Sequence, residues 1–246
     1  MDNIEEKKLV NEYRSLDYFL KVGYFPYNIS KTQINFERGF FLGIDECYPI
    51  HLAGNIVNQS LEETYYAIKK YIEKSLDILV LYNGIYEEQD SLNKIQFDTD
   101  HENLYAIKEK LGKPPLFCKP LYIMTVEQNG IEEVVYIGKT NSFSSRFSNG
   151  HAAITKLHDP KFEGVKRIYL ATVMFLSENE YIPLEFLDDF KEIKDLLIAI
   201  EGTLINSIKP VLNIQNIDRT MHHIGSQVHI QNFVRKVLND KFFYLD

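Results

Sequence analysis

Two short apolar runs separated by Asn129-Gly130 are the clearest pattern in the chain. Residues 121–127 and 133–137 are rich in Val, Ile and Tyr, which favours extended structure. Asn-Gly supplies the positive φ angles of a tight hairpin turn. The pattern therefore predicts two antiparallel strands. With the turn centred near Asn129, Tyr122 and Tyr136 lie opposite one another or within one register step, so both phenols are predicted to share one face of the sheet.

Helical periodicity covers much of the remaining chain. Apolar residues recur at helical spacing in residues 3–22, 61–82 and 185–209, and a capping pattern from Thr99 predicts a further helix that ends at Gly112. Residues 166–175 alternate in the manner of a third strand. The predicted fold class is therefore α+β, with a small three-stranded antiparallel sheet flanked by helices and a mainly helical N-terminal extension.

Pro114-Pro115 marks the predicted domain boundary, because two consecutive prolines interrupt helical structure. We expect three parts. Residues 1–115 form a helical N-terminal extension that serves in specificity or dimerisation. Residues 116–217 contain the hairpin, the third strand and the last helix, and residues 218–246 form a C-terminal extension.

Composition indicates a globular protein. The chain has 246 residues, of which 45% are hydrophobic, enough for a buried core. No apolar run approaches the roughly 18 residues of a membrane span, and the first dozen residues are charged, so we expect a cytoplasmic protein with no membrane contact. Cys47 and Cys118 are far apart and lack a CxxC partner, which favours reduced thiols over a disulfide or a zinc site.

The charge distribution is uneven. A formal net charge of −8 argues against indiscriminate nucleic-acid binding, which needs clustered Lys and Arg. No Asp or Glu occurs from Val134 to His158, whereas Lys139, Arg146 and Lys156 do. This local excess of positive charge suits a selective nucleic-acid enzyme, and ordinary solvated surface charge is the alternative.

The order of several motifs resembles the GIY-YIG nuclease family. PLYI (Pro120 to Ile123) precedes VYIGKT (Val135 to Thr140), and Arg146 follows Lys139 by seven positions. The family is expected to carry a metal-binding glutamate on a later helix and an asparagine about a dozen residues beyond it, which correspond to Glu201 and Asn213. The resemblance covers roughly residues 118–216, and the added helices make the chain most similar to the restriction-type members.

The first motif departs from the family pattern. Pro120-Leu121-Tyr122 replaces the glycine and isoleucine before the tyrosine. A literal Gly84-Ile85-Tyr86 occurs upstream, but about fifty residues separate it from Tyr136, and a hairpin normally has a short connection. Tyr122 is therefore the expected tyrosine of the first motif.

The resemblance implies a role for each matched residue in phosphodiester hydrolysis. Glu201 would bind one Mg²⁺ or Mn²⁺, because carboxylate oxygens suit hard cations. Arg146 would bind the scissile phosphate through its planar fork, and Lys139 would add a compact positive charge. Asn213 would hydrogen-bond the neighbouring backbone or the phosphate and so steady the site.

The phenols and a histidine are the candidates for activating water. The resemblance suggests that Tyr122 orients or deprotonates the attacking water and that Tyr136 holds the phosphate or the water. His151 follows Arg146 by five residues, near where some restriction-type members have a histidine that shares the role of base. Whether Tyr122 or His151 is the general base stays open at this point.

These residues predict a metal-dependent endonuclease that cuts double-stranded DNA, of the type II restriction class. The alternatives are an RNA- or repair-type nuclease and a non-catalytic nucleic-acid-binding protein that keeps the fold. A homodimer is expected for a palindromic target, because one active site cuts one strand at a time.

Overall fold

The structure is a computed structural model of the chain. It describes residues 16–26, 28–35, 39–56, 60–82, 85–86, 94–140, 147, 151–177, 180–213, 228–234 and 243–245. These residues divide into two compact units, and each is described by itself.

The first unit draws on residues 1–35, 62–117 and 175–193. Its helices are α1 (Leu16–Val22), α2 (Leu61–Leu81) and α3 (His101–Leu111). Strands β1 (Tyr24–Pro26), β3 (Ile85–Tyr86) and β4 (Lys94–Phe97) form an antiparallel sheet in the order β1-β4-β3. Aromatic packing among Phe19, Phe117 and Phe186 supplies part of its core.

The second unit draws on residues 36–61, 118–174 and 194–246. Its strands are β2 (Phe40–Pro49), β5 (Leu121–Gln128), β6 (Ile131–Lys139), β7 (Val165–Ser177), β9 (Val228–Asn232) and β10 (Phe243–Leu245). They lie in one seven-stranded sheet in the order β10-β9-β2-β7-β5-β6, and β8 (Glu180–Pro183) pairs with β7. Helix α4 (Ala152–Lys156) and helix α5 (Phe190–Ile208) complete the regular elements.

The predicted fold class is wrong in two respects. The hairpin and the third strand belong to a large mixed sheet, in which β2 and β9 are parallel, and not to a small three-stranded sheet. The N-terminal part is not mainly helical, because it supplies a three-stranded sheet of its own and the ten-residue strand β2. These strands escaped the pattern analysis because most are short, and β2 contains a glycine and no sustained alternation.

The β5–β6 hairpin has the predicted turn and an unpredicted β-bulge. Asn129 and Gly130 have φ angles of 53° and 79°, as a two-residue hairpin turn requires. Near the turn Gln128 pairs with Ile131, and the register shifts between Met124 and Thr125. Val135 is the extra residue of β6 at that shift. On its other side, β5 pairs antiparallel with β7 throughout its length.

Candidate active site

Tyr122 is the centre of the candidate site. It lies in β5 between β6 and β7, where its partners are Gly138 and Leu170, and its side chain is fully buried. A Cβ atom added at Gly138 would come within 2.5 Å of the Tyr122 hydroxyl and within 2.8 Å of the Tyr136 ring. Glycine is therefore required at position 138 because the phenol ring occupies the space of a side chain.

Tyr136 lies on the same face as Tyr122, as predicted, but diagonally across from it. Tyr136 pairs with Met124, two positions from Tyr122, and the two rings are stacked with centroids 5.9 Å apart. Without the bulge at Val135, the register set by the turn would pair Tyr136 with Ile123. A shift of one residue reverses which face a side chain occupies. The bulge is therefore what brings the second phenol to the first.

His151 contacts the Tyr122 hydroxyl. Its Nε2 lies 2.9 Å from that oxygen, and its Nδ1 accepts the backbone N–H of Ala153 at 3.1 Å. A ring nitrogen that accepts a hydrogen bond carries no proton, so the proton of the neutral imidazole lies on Nε2. The imidazole therefore donates to the phenol oxygen. Phe147 packs edge-on against the Tyr122 ring, with centroids 5.2 Å apart.

Glu201 meets the end of β6. Its Oε1 accepts the backbone N–H of Lys139 at 3.0 Å, and the residue is half-buried. This hydrogen bond offsets the cost of placing a carboxylate on an apolar helix stripe. Lys139 directly follows Gly138, against which the Tyr122 hydroxyl packs. The Glu201 carboxylate contacts the Lys139 N–H, and the Tyr122 hydroxyl packs on the Gly138 Cα. Because these two backbone positions are neighbours, the carboxylate and the hydroxyl lie within roughly 10 Å of each other.

Asn213 fixes the outer edge of β6. Its side-chain oxygen accepts the N–H of Ile137 at 2.9 Å, and its nitrogen donates to the carbonyl of Ile137 at 2.7 Å. Leu212 donates its N–H to the carbonyl of Val135 at 2.9 Å. Together these bonds imitate a neighbouring strand and satisfy backbone groups of an edge strand. Of the two roles expected for Asn213, the structure has the contact with neighbouring backbone.

Of the two expected cations, only Lys139 lies within the described residues. Lys139 pairs with Leu121, so strand alternation directs its side chain to the face opposite Tyr122 and Tyr136. Its backbone, and not its ammonium group, contacts Glu201. Arg146 lies outside the described residues.

Sequence patterns missed part of the site. Residues 48–56 comprise the end of β2 and the segment after it, and they lie on the face of the phenols. Ala53 and Ile56 belong to the same buried cluster as Tyr122, and Tyr48 packs against that cluster. Phe147 was also missed. Its spacing of four residues before His151 was an available signal, whereas nothing local marks residues 48–56 as neighbours of the hairpin.

The opposite face of the same strands holds a buried polar network. The Tyr169 hydroxyl donates to Glu132 at 3.0 Å, and the Thr125 hydroxyl also donates to that carboxylate. Arg167 lies 2.7 Å from Glu127 and 3.5 Å from Glu132. Burial raises the pKa of the Tyr169 phenol, and the neighbouring Cys47 and Glu132 raise it further.

Among the described residues, Glu201 is the carboxylate at the candidate site that could contribute to a metal site. Within the described part of the chain, no three His, Cys, Asp or Glu side chains lie close enough together to hold a metal ion. Mg²⁺ in phosphate-cleaving sites keeps several waters and binds one or two carboxylates plus substrate phosphate. The half-buried Glu201 at the strand end fits an ion that is held jointly with the substrate.

Comparison with protein-family models, with curated proteins and with solved structures finds no match to this chain. The GIY-YIG resemblance therefore rests on the sequence motifs and stays a prediction. No helix in the described ranges is long and apolar enough to cross a membrane.

Proposed function

We propose that this protein is a metal-dependent endonuclease of the GIY-YIG type that hydrolyses phosphodiester bonds in double-stranded DNA, with the organisation of a type II restriction enzyme. The observation that carries the proposal is the convergence at Gly138. Two stacked phenols pack against this residue from one side, and the Glu201 carboxylate binds the next peptide N–H. A protein that only bound nucleic acid would not need a carboxylate beside a phosphate site.

In this proposal Tyr122 is the general base and His151 is its positioning residue. Both nitrogens of the imidazole are occupied, one by the Ala153 N–H and the other by the proton it donates to Tyr122. The ring is therefore unsuited to take a further proton from water. Its Nε2–H points at the phenol oxygen and stabilises negative charge there, which is the form that accepts a proton from the attacking water.

The remaining roles concern the phosphate. Bound at Glu201, Mg²⁺ or Mn²⁺ would polarise the phosphate oxygens and stabilise charge on the leaving oxygen. Tyr136 holds the phosphate or the water through its hydroxyl, next to the base. Arg146 supplies the charge that binds the scissile phosphate. Lys139, whose side chain is directed to the opposite face, contributes its backbone N–H, which holds Glu201. Asn213 keeps the end of β6 in place, so that Gly138 and Glu201 stay in register.

Plasmid cleavage tests the proposal. Purified protein is incubated with supercoiled plasmid and Mg²⁺ or Mn²⁺, and the products are separated on a gel. Wild type is expected to nick or linearise the plasmid, and chelation of the metal with EDTA is expected to stop the reaction. Discrete fragments indicate a restriction-type enzyme, and a smear indicates a nuclease of low specificity. Absence of cleavage of DNA with either metal would overturn the proposal.

Two substitutions at Glu201 separate chemistry from folding. Glu201→Ala removes the acceptor for the Lys139 N–H and weakens the fold as well as the site. Glu201→Gln keeps a carbonyl oxygen for that N–H but removes the negative charge, so it is expected to fold normally and to be inactive. Asp195→Asn, an exposed carboxylate on the same helix, is the matched control and keeps activity. Full activity of Glu201→Gln would remove the metal assignment.

A further inference from the structure

The segment after β2 packs into the same apolar cluster as Tyr122. A 3₁₀ helix spans Ile50–Asn55, and we call it the 3₁₀ segment. Ala53 of this segment is 2% exposed, and Ile56, which directly follows the segment, is 5% exposed. Both belong to the apolar cluster that contains Tyr122. The 3₁₀ segment is therefore attached by its apolar side to the same sheet face as the two phenols.

The outer side of the 3₁₀ segment is polar and open. His51, Gly54 and Asn55 are exposed, and Leu52 is 39% exposed. A Cβ atom added at Gly54 would meet nothing within 4 Å. A ligand can therefore approach the backbone here as well as the imidazole and amide side chains.

The 3₁₀ segment carries no carboxylate that would repel a polyanion. Residues 47–61 contain no Asp, Glu, Lys or Arg, although the whole chain has a net charge of −8. Of the preceding carboxylates, Glu46 forms a close ion pair with Lys119, and Asp45 lies 3.7 Å from the same ammonium. Lys119 thus partly balances both carboxylates. The ion pair also ties β2 to the residues just before β5, which fixes the 3₁₀ segment relative to Tyr122.

We propose that the 3₁₀ segment is a substrate-contacting wall, on which the nucleotides that flank the scissile phosphate bind. His51 and Asn55 donate hydrogen bonds to base edges or phosphate oxygens, as imidazole and amide groups do in nucleic-acid complexes. Leu52 packs against a sugar or a base. This inference rests on the proposed nuclease function, and it places substrate contacts in a part of the chain that precedes the nuclease motifs.

Photocrosslinking tests the contact directly. A benzophenone amino acid is introduced at Leu52 and, as a control, at Tyr105, which is 58% exposed in the first unit. Each protein is irradiated with labelled plasmid DNA in Ca²⁺ and separated on a denaturing gel. A covalent protein–DNA adduct is expected for the probe at position 52 and not at position 105. The readout needs no turnover.

Steady-state kinetics provide the second measurement. The double variant His51→Ala/Asn55→Ala is expected to raise KM for plasmid nicking about tenfold or more, because each lost base or phosphate hydrogen bond weakens substrate binding. Its kcat should stay within about twofold, since the phenols and Glu201 are untouched. His101→Ala, an exposed histidine on α3, is the matched control and should behave as wild type.

The two proposals fail in different ways. A wild-type protein that does not cleave DNA overturns the nuclease function. A wild-type protein that cleaves, with no adduct at position 52 and an unchanged KM in the double variant, overturns the wall alone.

Discussion

The two faces of the β5, β6 and β7 strands each bury one tyrosine completely but surround its hydroxyl differently. Tyr122 and Tyr169 are both 0% exposed. The Tyr122 oxygen lies against His151 and next to a second phenol, Tyr136. The Tyr169 hydroxyl instead donates to the buried Glu132 carboxylate.

The difference shows that two equally buried phenols can have opposite hydrogen-bonding environments. A carboxylate acceptor holds the proton on Tyr169, and burial together with the charges of Cys47 and Glu132 raises its pKa. A ring N–H donor at Tyr122 stabilises the opposite state, in which the oxygen is ready to accept a proton. We therefore expect chemistry on one face and stability on the other.

The largest effect is expected from removing each phenol oxygen in turn. Tyr122→Phe should reduce the cleavage rate by about 10²- to 10⁴-fold, the usual contribution of a general base, and should lower stability by about 1–3 kcal/mol, because the buried His151 N–H loses its acceptor. Tyr169→Phe should keep the cleavage rate and lower stability by about 1–3 kcal/mol, because Glu132 loses a buried donor. Gel assays and thermal melts measure the two effects. Equal loss of cleavage in both variants would remove the distinction between the faces.

Removal of the Glu132 carboxylate, on the face of Tyr169, is the next test. Glu132→Ala should destabilise the fold by about 3–5 kcal/mol, because Arg167 and the Tyr169 hydroxyl lose a buried partner. Urea unfolding at neutral pH measures the change. Glu133→Ala, an exposed neighbour on the same strand, should be close to wild type. A small effect of Glu132→Ala would mean that the network contributes little.

Gly138→Ala probes the packing of the face that carries Tyr122 and Tyr136. The new methyl group would overlap the Tyr122 ring, at 2.5 Å, so we expect a loss of about 1–3 kcal/mol and reduced cleavage as the phenol is displaced. Calorimetry measures the loss of stability, and the plasmid assay measures the reduced cleavage. For stability alone, Gly54→Ala is the control, because its Cβ has open space. Wild-type behaviour of Gly138→Ala would contradict the close packing.

The smallest effect concerns alkaline pH. The raised pKa of Tyr169 means that the folded state holds its proton more tightly than the unfolded chain does. The contribution of this difference to folding stability is complete below the ordinary phenol pKa of about 10. It is lost as the pH rises above that value. Tyr169→Phe should therefore flatten the alkaline decline in stability, measured by urea unfolding between pH 9 and 11. An unchanged decline would show that other groups cause it.

Local sequence information predicted the hairpin, its turn and the shared face of Tyr122 and Tyr136. These features depend on neighbouring residues, so a pattern can reveal them. It did not reveal the bulge at Val135, since nothing in a run of apolar residues shows which one is unpaired. Tyr122 accordingly pairs with Gly138, two residues from Tyr136, which is one step beyond the expected range.

Long-range pairing explains the rest of what was missed. The parallel contact of β2 with β9 joins residues from opposite ends of the chain, and neither strand has a strong pattern of its own. A contact of this kind depends on the whole core. The same holds for Ala53 and Ile56 beside Tyr122, which are ordinary small and apolar residues in the sequence. Glu201 and Asn213 could be named in advance only through the family resemblance.

Val135 also makes the hairpin tolerant of a change in length. A deletion of that single codon would remove the bulge and leave every other pair of the hairpin in place, from Gln128 with Ile131 to Leu121 with Lys139. Relatives that lack one residue here would still assemble the pair of phenols. A full-length arm that paired without the bulge would instead turn Tyr136 toward the side of Glu132, although its motif would look intact in an alignment.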